Sequence, residues 1–114
     1  MSMARDDLLY LEDVQEAIET ILGYVHRIEE DEFKQNQMLQ DAVVRQLEII
    51  GEATKHLSEN IREDNPQVPW KAIAGTRDRL IHGYFAVDLD EIWLTILRDL
   101  PELKQEVNRL LSES

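Results

Sequence analysis

The chain has 114 residues, a formal net charge of −12, 43% hydrophobic and 32% charged residues, and no cysteine. That length supports one domain, 1–114, with a single core, and that balance excludes a disordered chain. Without cysteine there are neither disulfides nor thiolate metal sites, which suits a reducing cytosol. The start, Met1 to Leu9, lacks the basic opening and unbroken apolar run of a secretory signal. No apolar stretch approaches the roughly 18 residues of a membrane span, so a cytoplasmic protein with no membrane partner is expected.

The first helix is expected from about Asp6 to Arg27. Leu11, Val14, Ile18, Ile21, Val25 and Ile28 recur at three- and four-residue steps, the seam of a helical bundle. Asp6 and Asp7 stand where the helix dipole favours acids, and His26 falls in the last turn. Glu29 to Asn36 reads as a charged connection with one helical turn around Phe33. A second helix is predicted from about Gln37 to Arg62 on the stripe Leu39, Val43, Leu47, Ile50, Leu57 and Ile61. Gly51 within it implies close helix contact, because glycine there costs about 1 kcal/mol against alanine. Arg45, Glu48, Glu52 and Lys55 are spaced for pairing along a polar face. Arg45 and Glu52 adjoin the apolar stripe and either join that solvated face or line a cleft. His56 reads as a surface or boundary residue.

Pro66 and Pro69 break the pattern. Pro69 at a first helical position should start a short helix, Trp70 to Ala74, which Gly75 can stop. Thr76 is then a candidate N-cap for Arg77, Asp78 and Arg79. Asp88 followed by Glu91 resembles a capping box for a third long helix, apolar from Leu89 to Leu110. Pro101 should kink or restart it, with Asp99 and Glu102 as a second cap. No strand-like alternation or internal repeat occurs. The fold class is all-α, an up-down antiparallel bundle of about four main helices.

Residues 70–85 hold Lys71, Arg77 and Arg79 against Asp78, a cationic island of +2 in a body that sums to −14. Arg77, His82 and Tyr84 within it read Arg-x4-His-x-Tyr. Imidazole serves as acid or base near neutral pH, and a guanidinium fork suits a phosphate gaining charge in its transition state. RNA supplies its own nucleophile, the 2′-OH, so such a pair can cleave it and leave a cyclic phosphate. No His-x-x-x-His or carboxylate cluster with metal-ligand spacing competes. Five residues separate Arg77 from His82, about 140° around a regular helix. Either Arg77 reaches round from the helix start or a second copy completes the site, which a two-fold dimer allows. Trp70, Phe85 and Trp93 serve equally as interface anchors or as core.

Four segments in order carry a resemblance over nearly the whole chain. They are residues 5–13 (Arg-Asp-Asp-Leu-Leu-Tyr-Leu-Glu-Asp), 48–53 (Glu-Ile-Ile-Gly-Glu-Ala), the stretch from Pro69 to Phe85, and 99–103 (Asp-Leu-Pro-Glu-Leu). The chain resembles the HepT-like branch of the HEPN superfamily. The resemblance implies a homodimeric, metal-independent ribonuclease toxin without a cofactor, with Arg77 and His82 at the dimer cleft. Asp78 matches the polar residue that follows the arginine and would orient His82; Arg79 would add phosphate affinity. It also implies a partner, an MntA-like minimal nucleotidyltransferase, that neutralises the toxin by attaching AMP to Tyr84. The alternative is a helical dimer that holds a nucleotidyltransferase or a nucleotide and cuts nothing, which the acidic charge fits better.

Overall fold

A computed structural model describes residues 3–76, 78 and 88–113. Every element among them is helical: α1 (Arg5–Tyr24), α2 (Glu30–Gln35), α3 (Gln37–Lys55), α4 (Glu59–Asp64), α5 (Trp70–Ala74), α6 (Leu89–Leu94) and α7 (Leu100–Glu113). A π-helical turn, Thr95–Asp99, joins α6 to α7. The helical class expected from the sequence is present, and the long segments are α1, α3 and the run through α6 and α7. The stretch that would supply another main helix after Thr76 lies largely outside the described residues.

The three- and four-residue spacing of α1 becomes its inner face, with Leu11, Ile18 and Ile21 wholly buried. This face packs along α3 and against α7. Burial of each such side chain contributes about 1.5–3 kcal/mol, so the stripe outweighs any cap in holding α1 in place. The turn expected around Phe33 is α2; Phe33 is fully buried, its ring 5.3 Å from that of Trp93 at 31°. Gln40 ties α2 to α3, its side-chain amide donating at 3.0 Å to the carbonyls of Phe33 and Lys34. Gly51 is buried on α3. Trp70 and Trp93 are also buried, so in this chain both belong to the core; Phe85 lies outside the described residues.

Three boundaries differ from the sequence reading. The first helix ends at Tyr24, and Arg27 takes a positive φ of 61°, a left-handed turn that closes the segment. The second helix does not run to Arg62: it stops at Lys55 and restarts at Glu59 behind Ser58. The reason is tertiary. Ser58 donates its backbone N–H (2.8 Å) and its hydroxyl (2.7 Å) to the carboxylate of Asp7 on α1. The same hydroxyl accepts from the Ile61 N–H, the capping bond of α4. The freed carbonyls at the end of α3 are met by Arg62, whose Nη2 donates to Lys55 O at 2.6 Å and Thr54 O at 3.3 Å.

The third difference lies at Pro101. A proline at that position cannot donate to the carbonyl four residues earlier and clashes with it. The wider π turn immediately before α7 accommodates this, and the helix continues. Asp99 therefore sits inside the π turn, 3.5 Å from the Arg98 guanidinium, and the second cap does not form. Asp88 does cap α6, accepting from the N–H groups of Asp90 and Glu91. The short helix over Trp70–Ala74 forms with Pro69 as its N-cap, one position earlier than expected.

Candidate functional site

Of the residues the sequence singles out, Arg77, Arg79, His82 and Tyr84 lie outside the described residues. Asp78 is helical and exposed. Thr76, expected as an N-cap, is itself helical, and its hydroxyl donates to the Ala72 carbonyl at 3.2 Å. What the described structure fixes are the two ends from which the motif is presented.

On one side α5 is held by its tryptophan. Trp70 donates its indole N–H to the Asn65 carbonyl at 2.9 Å. Asn65 is buried; its amide donates to the Ile61 carbonyl, and its side-chain oxygen accepts from Arg109 Nη2 at 2.7 Å. Asn65 thereby joins α4, α5 and α7 in one polar network with its donors and acceptors used. Arg109 also forks onto Glu106 at 2.7 Å and Glu113 at 3.3 Å. The hydrogen bond from Arg109 holds the Glu106 carboxyl below the usual carboxylate range, and the reciprocal bond raises the Arg109 guanidinium. On the other side, the Asp88 cap and the Phe33–Trp93 pair fix α6. Asp90 there is ion-paired with Lys34, whose ammonium is held above its ordinary value chiefly by that hydrogen bond.

The described residues also bring together a set of titratable side chains. A recess of about 390 Å³ between α1 and α3 is lined by Tyr10, Asp13, Arg45, Glu48, Glu52 and His56, among others. The rings of Tyr10 and His56 stack with centroids 5.3 Å apart and planes 20° from parallel. His56 Nε2 lies 3.0 Å from Glu52 Oε1, and Arg45 Nη1 lies 3.5 Å from Glu48 Oε2. Arg45 and Glu52 both border this recess, and the Arg45 side chain is 70% exposed, so it also belongs to the solvated face. His56 is exposed, as a surface residue would be, and it makes two contacts, one to Glu52 and one to Tyr10. The four-residue spacing from Glu52 was a legible sign of one; the other comes from a helix 46 positions away in the chain. The stacked imidazole and phenol rings offer a flat face to a planar ligand. Three carboxylates against one arginine make the recess a poor phosphate site by itself. Among the described residues, no three His, Cys, Asp or Glu side chains converge so as to hold a metal ion, and no helix is long and apolar enough to cross a membrane.

The helical framework and the order of its segments define a class, and comparison with known proteins agrees. The chain belongs to the HepT-like family: the model described as "Ribonuclease HepT-like" matches residues 14–110. Among individual proteins, it is 42% identical over 108 residues to one named "Probable ribonuclease HepT" from Thermococcus cleftensis, covering 95% of this chain and 98% of that one. A protein of Caldanaerobacter subterraneus subsp. tengcongensis, provisionally named an RNase, is 45% identical over 104 residues, 91% of this chain and 93% of the relative. The similarity also extends to a Methanocaldococcus jannaschii protein named as a gamma-glutamylcyclotransferase and, provisionally, an RNase. It is 43% identical over 111 residues, 97% of this chain but only 50% of that longer protein. No solved structure matches significantly.

Proposed function

We propose that this chain is a metal-independent endoribonuclease toxin that acts as a homodimer. The observation that carries the reading is family membership over residues 14–110 combined with an intact Arg77-x4-His82-x-Tyr84 motif inside that span. Relatives that match over most of their length carry ribonuclease names, which supports RNA as the substrate.

In this reading the 2′-oxygen of RNA attacks the adjacent phosphorus and the bond from phosphorus to the 5′-oxygen breaks. The products are a cyclic phosphate and a 5′-hydroxyl. His82 takes the 2′ proton or delivers one to the leaving 5′-oxygen, and proton transfer of this kind contributes roughly 10²–10⁴ in rate. Arg77 holds the phosphate as its charge grows. Asp78 orients His82, and Arg79 adds phosphate affinity. Two copies of the chain pool these groups in one cleft, which removes the angular mismatch between Arg77 and His82 on a single helix. A minimal nucleotidyltransferase of the MntA type silences the toxin by attaching AMP to Tyr84, placing bulk and negative charge where RNA phosphate would sit.

The test is cleavage of RNA by the purified, unmodified protein in the presence of a chelator. Arg77→Ala and His82→Ala should each lower the rate by about 10² or more. Cleavage that survives both substitutions rejects the site. For Tyr84, the intact mass should rise by AMP units after incubation with the nucleotidyltransferase and ATP, and Tyr84→Phe should prevent it. The second reading, a dimer that binds a nucleotidyltransferase or nucleotide without cutting, is favoured by the net charge of −12. Growth arrest on expression that disappears with His82→Ala excludes it.

A further inference from the structure

Asn65 ends α4 and is only 6% exposed, and each of its polar atoms is engaged. Its backbone N–H donates to the Arg62 carbonyl and its side-chain amide to the Ile61 carbonyl. Its side-chain oxygen accepts from Arg109 on α7. Its backbone carbonyl accepts twice, from the Val68 N–H at 3.2 Å and from the Trp70 indole at 2.9 Å. The loop from Asn65 to Trp70 is short and stiff, because Pro66 and Pro69 have fixed φ and Val68 is buried. Gln67 ties the same loop to Glu106 on α7 at 3.2 Å. From there the chain is locked turn by turn. The Ile73 N–H donates to the Pro69 carbonyl, the Gly75 N–H to the Lys71 carbonyl and the Thr76 hydroxyl to the Ala72 carbonyl. Arg77 is the next residue.

We propose that Asn65 is a positioning residue for the ribonuclease site: clamped to α7, it sets the angle of α5 and thereby the place from which Arg77 is presented. The effect on the reaction rests on the ribonuclease reading above; the effect on the chain does not. The buried ring of Trp70 fixes one point of a five-residue helix, and the bond from its indole to Asn65 fixes a second. Without the second point α5 can tilt about its tryptophan. Thr76 lies six residues beyond Trp70, roughly 9 Å at the helical rise, so a tilt of about 6° moves Thr76 by about 1 Å. A misplacement of that size, made far from the reacting atoms, can cost about 10² in rate. The loss falls on kcat when the contacts that bind substrate equally in ground and transition states stay in place. A guanidinium on the last helix thus bears on a phosphate-holding arginine through one buried asparagine.

The experiment compares Asn65→Ala with wild type in RNA cleavage by the full chain, at a temperature where circular dichroism shows both folded. In Asn65→Ala kcat should fall at least about tenfold while KM changes less than about twofold. Arg109→Ala should lower kcat likewise, and Arg109→Lys, which keeps a donor for the Asn65 oxygen, should recover most of the loss. Ile21→Val, a core change on α1, should leave kcat within about twofold. The second arm is amide NMR. Asn65→Ala should shift the signals of Trp70 to Thr76 and of Asp78, leave those of α2 in place, and speed solvent exchange of the Trp70 indole proton at least about tenfold. Trp93→Phe assigns that proton, since the chain has two tryptophans. An unchanged kcat in folded Asn65→Ala, a loss carried by KM instead, or an equal loss in Ile21→Val overturns the proposal. So do signal changes that stop at Val68. If wild type cuts no RNA, the ribonuclease reading fails by itself, and the NMR arm alone decides whether Asn65 sets the entry to the motif. If Asn65→Ala does not fold, the two Arg109 variants carry both arms.

Discussion

Removing the Asp7 carboxylate should unlock the corner between α3 and α4. Asp7 is only 5% exposed, and both of its oxygens accept short hydrogen bonds from Ser58, at 2.8 and 2.7 Å. Hydrogen bonds to a charged acceptor contribute about 1.5–3 kcal/mol each. Part of that is offset because the variant no longer buries a carboxylate. Asp7→Ala should therefore cost about 2–3 kcal/mol net. At this chain length that lowers the thermal midpoint by about 8–12 °C. Ser58→Ala, which also removes the α4 cap, should cost about 1–2 kcal/mol. The decisive assay is a double-mutant cycle by urea unfolding, with an expected coupling of about 1–1.5 kcal/mol between the two positions. An Asp7→Ala loss below about 0.5 kcal/mol, or purely additive effects, would show that the break at His56 to Ser58 is set by local sequence alone.

Three further outcomes follow from particular contacts. Thr54 is fully buried and its hydroxyl has no hydrogen-bond partner among the described residues, so Thr54→Val should be neutral or stabilising by up to about 1 kcal/mol in a denaturant titration. A loss of more than that would mean the hydroxyl is bonded in solution. Glu106, held below the ordinary carboxylate range by Arg109, contributes stability that is present above its unfolded pKa and lost as pH falls through its folded value. The thermal midpoint of Glu106→Gln should accordingly lie below wild type at pH 7 and converge with it in acid; a constant gap would assign the effect to packing. His56→Ala should leave RNA cleavage within about twofold while His82→Ala abolishes it, because the stacked imidazole of His56 is paired to Glu52 in a recess rich in carboxylates. The reverse pattern would move the chemistry to α3.

The amino-acid sequence by itself determined the helical class, the buried stripes of α1 and α3, the turn around Phe33 and the cap at Asp88, all of which follow from local periodicity and short-range hydrogen bonding. It also carried the Arg77, His82 and Tyr84 motif, which depends on residue identity and order alone. Only the tertiary structure decided that α3 stops short, since the partner that holds Ser58 is Asp7, 51 positions away. The same holds for the Tyr10–His56 stack and for the Asn65 junction with Arg109, 44 positions apart. Periodicity says which face of a helix turns inward, whereas the neighbour it meets there is chosen by packing across the whole chain.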